Sequence, residues 1–107
     1  MSYYPKSSPW GRVQSHQWIC EGILAVSTAS HGGFYVAPSR LAELPNNVRY
    51  AKRFNSPGSW YEEDAEAYIV MAAFPEVCNA LKIDRNIALD GLNRWYPKIA
   101  EALTSSV

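Results

Sequence analysis

A chain of 107 residues has room for one domain and not two. Its 48% apolar and 19% charged residues exclude a disordered chain, and ten basic side chains balanced by ten acidic ones exclude the global positive charge of duplex-DNA and membrane-surface binders. The only two cysteines, Cys20 and Cys78, have no CxxC spacing, so neither a disulfide scaffold nor a zinc site is expected, only buried thiols in a reducing compartment.

Residues 1–10 carry Tyr3, Tyr4 and Trp10 with Pro5 and Pro9 and lack the apolar core of a signal peptide. They are expected as a flexible aromatic arm ahead of a single domain at 11–107, which either folds back on that domain or offers anchors to another molecule. From Gly11 to Pro38 the pattern is strand-like, with Glu21-Gly22 as one turn, an apolar and β-branched run over 23–28, and His31-Gly32-Gly33 as a second turn before Phe34-Tyr35-Val36. A three-stranded antiparallel meander follows from this spacing. Ser39 is the expected N-cap of a short helix over 40–44, closed by Pro45-Asn46-Asn47.

Ser59 with Glu62 has the spacing of a capping box, which predicts a helix from Ser59, with Glu62, Glu63 and Asp64 at its electropositive end. Pro75 breaks or restarts that helix. Asp84 caps a third helical region in which Ala88, Leu92, Trp95, Ile99 and Leu103 share a face, and Pro97 kinks or restarts it after Tyr96. Strands first and helices later indicate an α+β fold: a small antiparallel sheet of about three strands packed against three or more C-terminal helices. The longest apolar runs, such as 69–74, fall far short of a membrane span, so no membrane partner is expected.

Two opposite charge clusters stand close together in the chain. Arg40, Arg49, Tyr50, Lys52 and Arg53 interleave cations with an aromatic ring, a pattern suited to an acidic protein surface, to the backbone of a single strand with stacked bases, or to a solvated face that balances the acidic run. Glu62, Glu63, Asp64 and Glu66 form the acidic counterpart, read as helix capping or as a patch that faces a partner through Trp60, Glu62, Glu63 and Asp64. The pair makes a dipolar surface for oriented docking or for a homodimer through complementary patches. His31, in a glycine-flanked loop, is the one candidate for acid–base chemistry, with Ser27, Ser30 and the acidic cluster as conceivable companions. No P-loop, Gly-x-Ser-x-Gly or His-x-x-x-His is present, so no catalytic residue, metal or cofactor is assigned.

Ser30-His31-Gly32-Gly33-Phe34, Trp60-Tyr61-Glu62-Glu63-Asp64 and Phe74-Pro75-Glu76 together resemble a pattern in small uncharacterised proteins of bacterial phages and conjugative elements. The resemblance spans about residues 23–77 and carries no catalytic residues. It implies a cytoplasmic mobile-element protein of a bacterial host, of the anti-CRISPR or wider anti-defence kind. Such a protein inhibits without catalysis by docking on a protein or nucleoprotein complex, such as a CRISPR effector complex, or on its nucleic acid. The rival expectations are a single-stranded DNA binder and a small hydrolase or transferase using His31. Ser27–Ser30 with the acidic cluster is also distantly similar to the strand Ser-Thr and Glu-x-Glu parts of ADP-ribosyltransferases, but the Glu-x-Glu spacing is not met.

Overall fold

In the computed structural model, which describes residues 3–55 and 58–104, the chain is an α+β domain. A two-stranded ribbon, β1 (Ser7–Ser8) and β2 (Gly11–Arg12), precedes the meander β3 (Ser15–Cys20), β4 (Ile23–Ser27) and β5 (Gly32–Val36). Two single-turn helices follow, α1 (Pro38–Leu41) and α2 (Asn46–Arg49). A fourth strand, β6 (Trp60–Glu62), then joins the sheet beside β5, giving the order β3-β4-β5-β6, antiparallel throughout. The remainder is helical: α3 (Ala67–Ala73), α4 (Pro75–Leu81), α5 (Arg85–Trp95) and α6 (Pro97–Thr104).

Several of these boundaries follow from single residues. Pro75 and Pro97 each open a new helix, since proline fits the first turn, where no backbone donor is needed, and not the interior. The Asp84 carboxylate accepts a hydrogen bond from the Asn86 N–H and so caps α5. Gly91 lets α5 approach α3 closely, because a Cβ there would lie 2.5 Å from the Tyr68 ring.

Three expectations are corrected. Trp60–Glu62 is a strand and not the first turn of a helix; the Ser59–Glu62 capping box does not form, and α3 starts only at Ala67. The cause is long-range: Tyr61 sits opposite Phe34 and Trp60 opposite Tyr35 across the β5–β6 ladder, which buries the Tyr61 ring completely. The first short helix begins at Pro38 with Ala37 as its cap, two residues earlier than the Ser39 cap implied. Trp95 is largely exposed, because the restart at Pro97 ends the helical phase that would have aligned it with Ile99.

The β4–β5 turn is also built differently from the glycine hairpin expected. Gly32 and Gly33 lie inside β5 without positive φ, and the turn is held by Thr28, whose hydroxyl accepts from the Ser30 and His31 N–H groups. Gly33 is small for a packing reason. A Cβ there would collide with the Tyr61 carbonyl and lie 2.7 Å from the edge of the Trp10 ring.

Alternation places Ile23, Ala25, Phe34, Val36 and Tyr61 on one sheet face, where they meet Ile69, Val70, Val77, Leu92 and Ile99 of the helices in the main core. The other face carries Trp18, Leu24, Val26, Tyr35 and Trp60, of which Leu24 and Val26 are buried. The segment from Tyr3 to Arg12 lies against this face. Tyr4 stacks on His16 with ring centroids 3.9 Å apart, and Trp10 meets Trp60 edge-on at 5.6 Å, with Tyr35 at 5.1 Å from Trp60. The sheet is therefore covered on both sides, by helices on one and by the aromatic N-terminal segment on the other.

Candidate functional site

The segment between α2 and α3 contains most of the charged residues singled out above, and it is organised around an ion pair. Arg53 Nη1 lies 2.7 Å from Glu66 Oε2, with both side chains almost fully buried (0% and 2% exposed). Burial would raise the Glu66 carboxyl, but donors outweigh it: the backbone N–H of Asn55 (2.9 Å), the N–H of Glu62 (3.0 Å), the Arg53 guanidinium and the Asn55 amide (2.6 Å) together hold it below the usual glutamate range. Arg53 also donates to the carbonyls of Trp60 (2.8 Å) and Gly58 (2.9 Å) and stacks on the Tyr61 ring at 3.7 Å.

This pair does the work of a neighbouring strand. Hydrogen-bonded pairs alternate along an antiparallel ladder. Val36 N–H donates to Ser59 C=O and Glu63 N–H to Gly32 C=O, so Trp60 and Glu62 turn their main-chain groups away from β5. The outward Trp60 carbonyl meets Arg53 and the outward Glu62 N–H meets Glu66. Arg53, expected on a docking surface, is thus an internal anchor: its charge is neutralised by Glu66, out of contact with solvent. Glu66 lay within the acidic run but outside the expected site, and Asn55 was missed. No local signal marks either, since their partners are defined only once β6 joins the sheet.

Around this anchor the remaining cationic residues point outward. Lys52 is exposed, Phe54 is 77% exposed and Tyr50 is 60% exposed, with the Arg49 guanidinium 5.2 Å from the Tyr50 ring. Arg40 does not join them. It is mostly buried against Gly22, bonds Glu76 at 2.6 Å and Glu43 at 3.3 Å, and lies over the Phe74 ring at 4.7 Å. The expected basic patch therefore reduces to Arg49, Tyr50 and Lys52, extended by Phe54.

The acidic residues are likewise divided. Trp60 is held between Trp10 and Tyr35, Asp64 is exposed in the turn before α3, and Glu62 and Glu63 approach His31. His31 Nδ1 lies 3.4 Å from Glu62 Oε2 and 3.9 Å from Glu63 Oε2, with the imidazole side chain 50% exposed and that of Glu62 18% exposed. The companion hydroxyls are engaged in the turn: Ser30 donates to the Trp10 carbonyl (3.1 Å), and the Thr28 hydroxyl lies 2.7 Å from the His31 carbonyl. Ser27 meets Ser15 across the β3–β4 ladder. The two longer phrases that carry the resemblance are thus neighbours in space: Ser30–Phe34 leads into β5 and Trp60–Asp64 forms β6 and the turn after it. The third, Phe74-Pro75-Glu76, receives Arg40.

An open groove lies at the far end of the sheet from His31, lined by Tyr3, Trp18, Cys20, Glu21, Gly22, Ala37 and Ser39. Cys20 and Cys78 are both free thiols, raised by burial. Among the described residues, no group of three or more His, Cys, Asp or Glu side chains is arranged to hold a metal ion, and no helix is long and apolar enough to cross a membrane. No curated protein and no solved structure matches the chain. A family model matches residues 3–107, nearly the whole length, and the chain accordingly belongs to the domain of unknown function family DUF7007.

Proposed function

We propose that this chain is a non-enzymatic binding protein that docks on a macromolecular surface rich in negative charge through Arg49, Tyr50, Lys52 and Phe54. One observation carries the reading: two large aromatic side chains and a lysine stand exposed on a segment whose central residue, Arg53, is locked into the interior. Exposed aromatics flanked by cations resemble the anchors of interfaces, and a segment already ordered by its own buried ion pair loses little entropy on binding. The resemblance to mobile-element proteins supplies the proposed target class, a defence nucleoprotein complex of a bacterial host, with anti-CRISPR inhibition as the proposed activity.

A plasmid-interference assay in cells with an active CRISPR effector tests this directly. The wild-type chain should protect an incoming target plasmid, and Arg49→Glu/Lys52→Glu/Phe54→Ala should not, with unchanged circular dichroism. Protection by the triple variant would reject the surface; no protection by the wild-type chain would reject the setting. Binding of a labelled single-stranded oligonucleotide that falls steeply with salt would instead favour the nucleic-acid reading.

A second reading rests on the His31–Glu62 approach, since a carboxylate that orients an imidazole is the usual support of an acid–base group. It places a small hydrolase or transferase at the open corner beside β5. Loss of the biological activity in His31→Gln, with protein levels and fold intact, would move the assignment to that corner.

A further inference from the structure

The opposite edge of the sheet from Arg53 and Glu66 carries a further inference, independent of the docking segment. In the β4–β5 ladder, Ala37 N–H donates to Gly22 C=O and Thr28 N–H to His31 C=O, so even-numbered positions of β4 bond β5 and odd-numbered ones bond β3. Gln14 N–H accordingly donates to Ser27 C=O. Since Ser15 and Gln17 lie opposite Ser27 and Ala25, their main-chain groups turn inward, and those of His16 and Trp18 turn outward. Among the described residues no strand lies on that side, and no backbone bond reaches His16 or Trp18. The strand Ser15–Cys20 has neither a lysine nor a proline to protect its edge, and its register shift, between Trp18 and Cys20, falls at the end.

We propose that β3 pairs with β3 of a second copy of this chain, antiparallel about a two-fold axis through Gln17. In this register His16 of each copy faces Trp18 of the other, and the four outward N–H and C=O groups on each side are matched: His16 N–H donates to the Trp18 carbonyl of the second copy, and Trp18 N–H donates to its His16 carbonyl. The strand carries no Asp, Glu, Lys or Arg, and the chain has no net charge to oppose self-association. The other edge, β6, is less open to a further chain, because its outward Trp60 carbonyl and Glu62 N–H are occupied by Arg53 and Glu66.

Analytical ultracentrifugation of the full chain over a concentration series tests the proposal. The wild-type chain should be a dimer; His16→Pro, which removes the outward N–H and the imidazole stacked on Tyr4, should be monomeric, and His16→Ala, which removes the imidazole alone, should remain a dimer. Gln17→Cys chains should cross-link through the introduced thiols on mild oxidation, since non-hydrogen-bonded cross-strand pairs have the Cα separation a disulfide needs. A wild-type chain that stays monomeric at every concentration would overturn the proposal and leave the edge to a strand of another protein. A dimer that His16→Pro leaves untouched, or that Gln17→Cys does not cross-link, would overturn it as well.

Discussion

On β6 the outward Trp60 carbonyl and Glu62 N–H meet a guanidinium and a carboxylate; on β3 the outward groups of His16 and Trp18 meet no strand among the described residues. A sheet edge is ordinarily finished by another strand, by a covering element or by charges that repel a newcomer. Here two side chains from flanking turns supply one donor, to the Trp60 carbonyl, and one acceptor, to the Glu62 N–H, at the centre of the β6 edge. That requires a complete ion pair in the interior. A lone guanidinium there would be prohibitively costly, and a lone carboxylate would take up a proton and lose its acceptor role. The fold thus uses opposite charges for closure at one edge and no charge at all at the other.

The sharpest way to break this contrast is Arg53→Met. It leaves Glu66 buried without its counter-charge and the Trp60 carbonyl without its donor, for which the expected loss is about 3–5 kcal/mol of unfolding free energy. Urea unfolding followed by tryptophan fluorescence measures it. A second expectation separates closure from simple packing: the variant should also self-associate through its exposed β6 edge, seen as concentration-dependent light scattering at temperatures where it is still folded. A loss under about 1 kcal/mol would mean that the pair is replaceable and that β6 is held by the β5 ladder alone.

Acid provides a milder break at the same place. The folded Glu66 carboxyl is held below its usual range, so the native state binds this proton less readily than the unfolded chain does. Its contribution is therefore complete above the unfolded pKa, about 4.3, and is lost as pH falls through the lower folded pKa. Melting temperatures should fall below about pH 4, and Glu66→Gln, already destabilised at neutral pH, should show a flatter acid limb. Glu76, lowered by its own backbone N–H and by Arg40, titrates in the same direction, but it is half exposed and its share is correspondingly screened.

The β6 edge is also where the sequence was hardest to read. The meander, the restarts at Pro75 and Pro97 and the Asp84 cap were legible because each depends on neighbours within a few positions: a β-branched run, a missing backbone donor, a short carboxylate before a helix. Ser59–Glu62 satisfies a local helix-start rule equally well, yet Trp60 and Tyr61 find partners in Tyr35 and Phe34, more than twenty residues earlier, and the ladder prevails over the cap. Arg53 looked like Lys52 in the chain. What distinguishes them is Glu66, brought beneath the loop by the strand that the capping rule had hidden. Tyr50, Lys52 and Phe54 remained accessible because they sit on the outward side of an extended stretch whose alternate residue is buried. The aromatic segment at the N-terminus was legible as sticky but not as placed, since the surface it covers exists only when four strands are paired.

The smallest expected effect sharpens the contrast from the other side. His31 and Glu62 also form a cation–carboxylate pair when the imidazole is protonated, and Glu62 belongs to the same strand that Arg53 and Glu66 close. Its geometry is looser, at 3.4 Å, and water reaches half of the imidazole, so solvent competes with the contact at every step. The backbone at His31 is fixed independently by the Thr28 hydroxyl, which accepts its N–H. His31→Gln should therefore change unfolding free energy by no more than about 0.5 kcal/mol at neutral pH, and added salt should not change that difference measurably. A loss of 1 kcal/mol or more would place the pair in the structural class of Arg53–Glu66. A neutral result, set beside a large loss for Arg53→Met, would mean that this corner is free of structural duty, as a group available to a ligand or a partner must be.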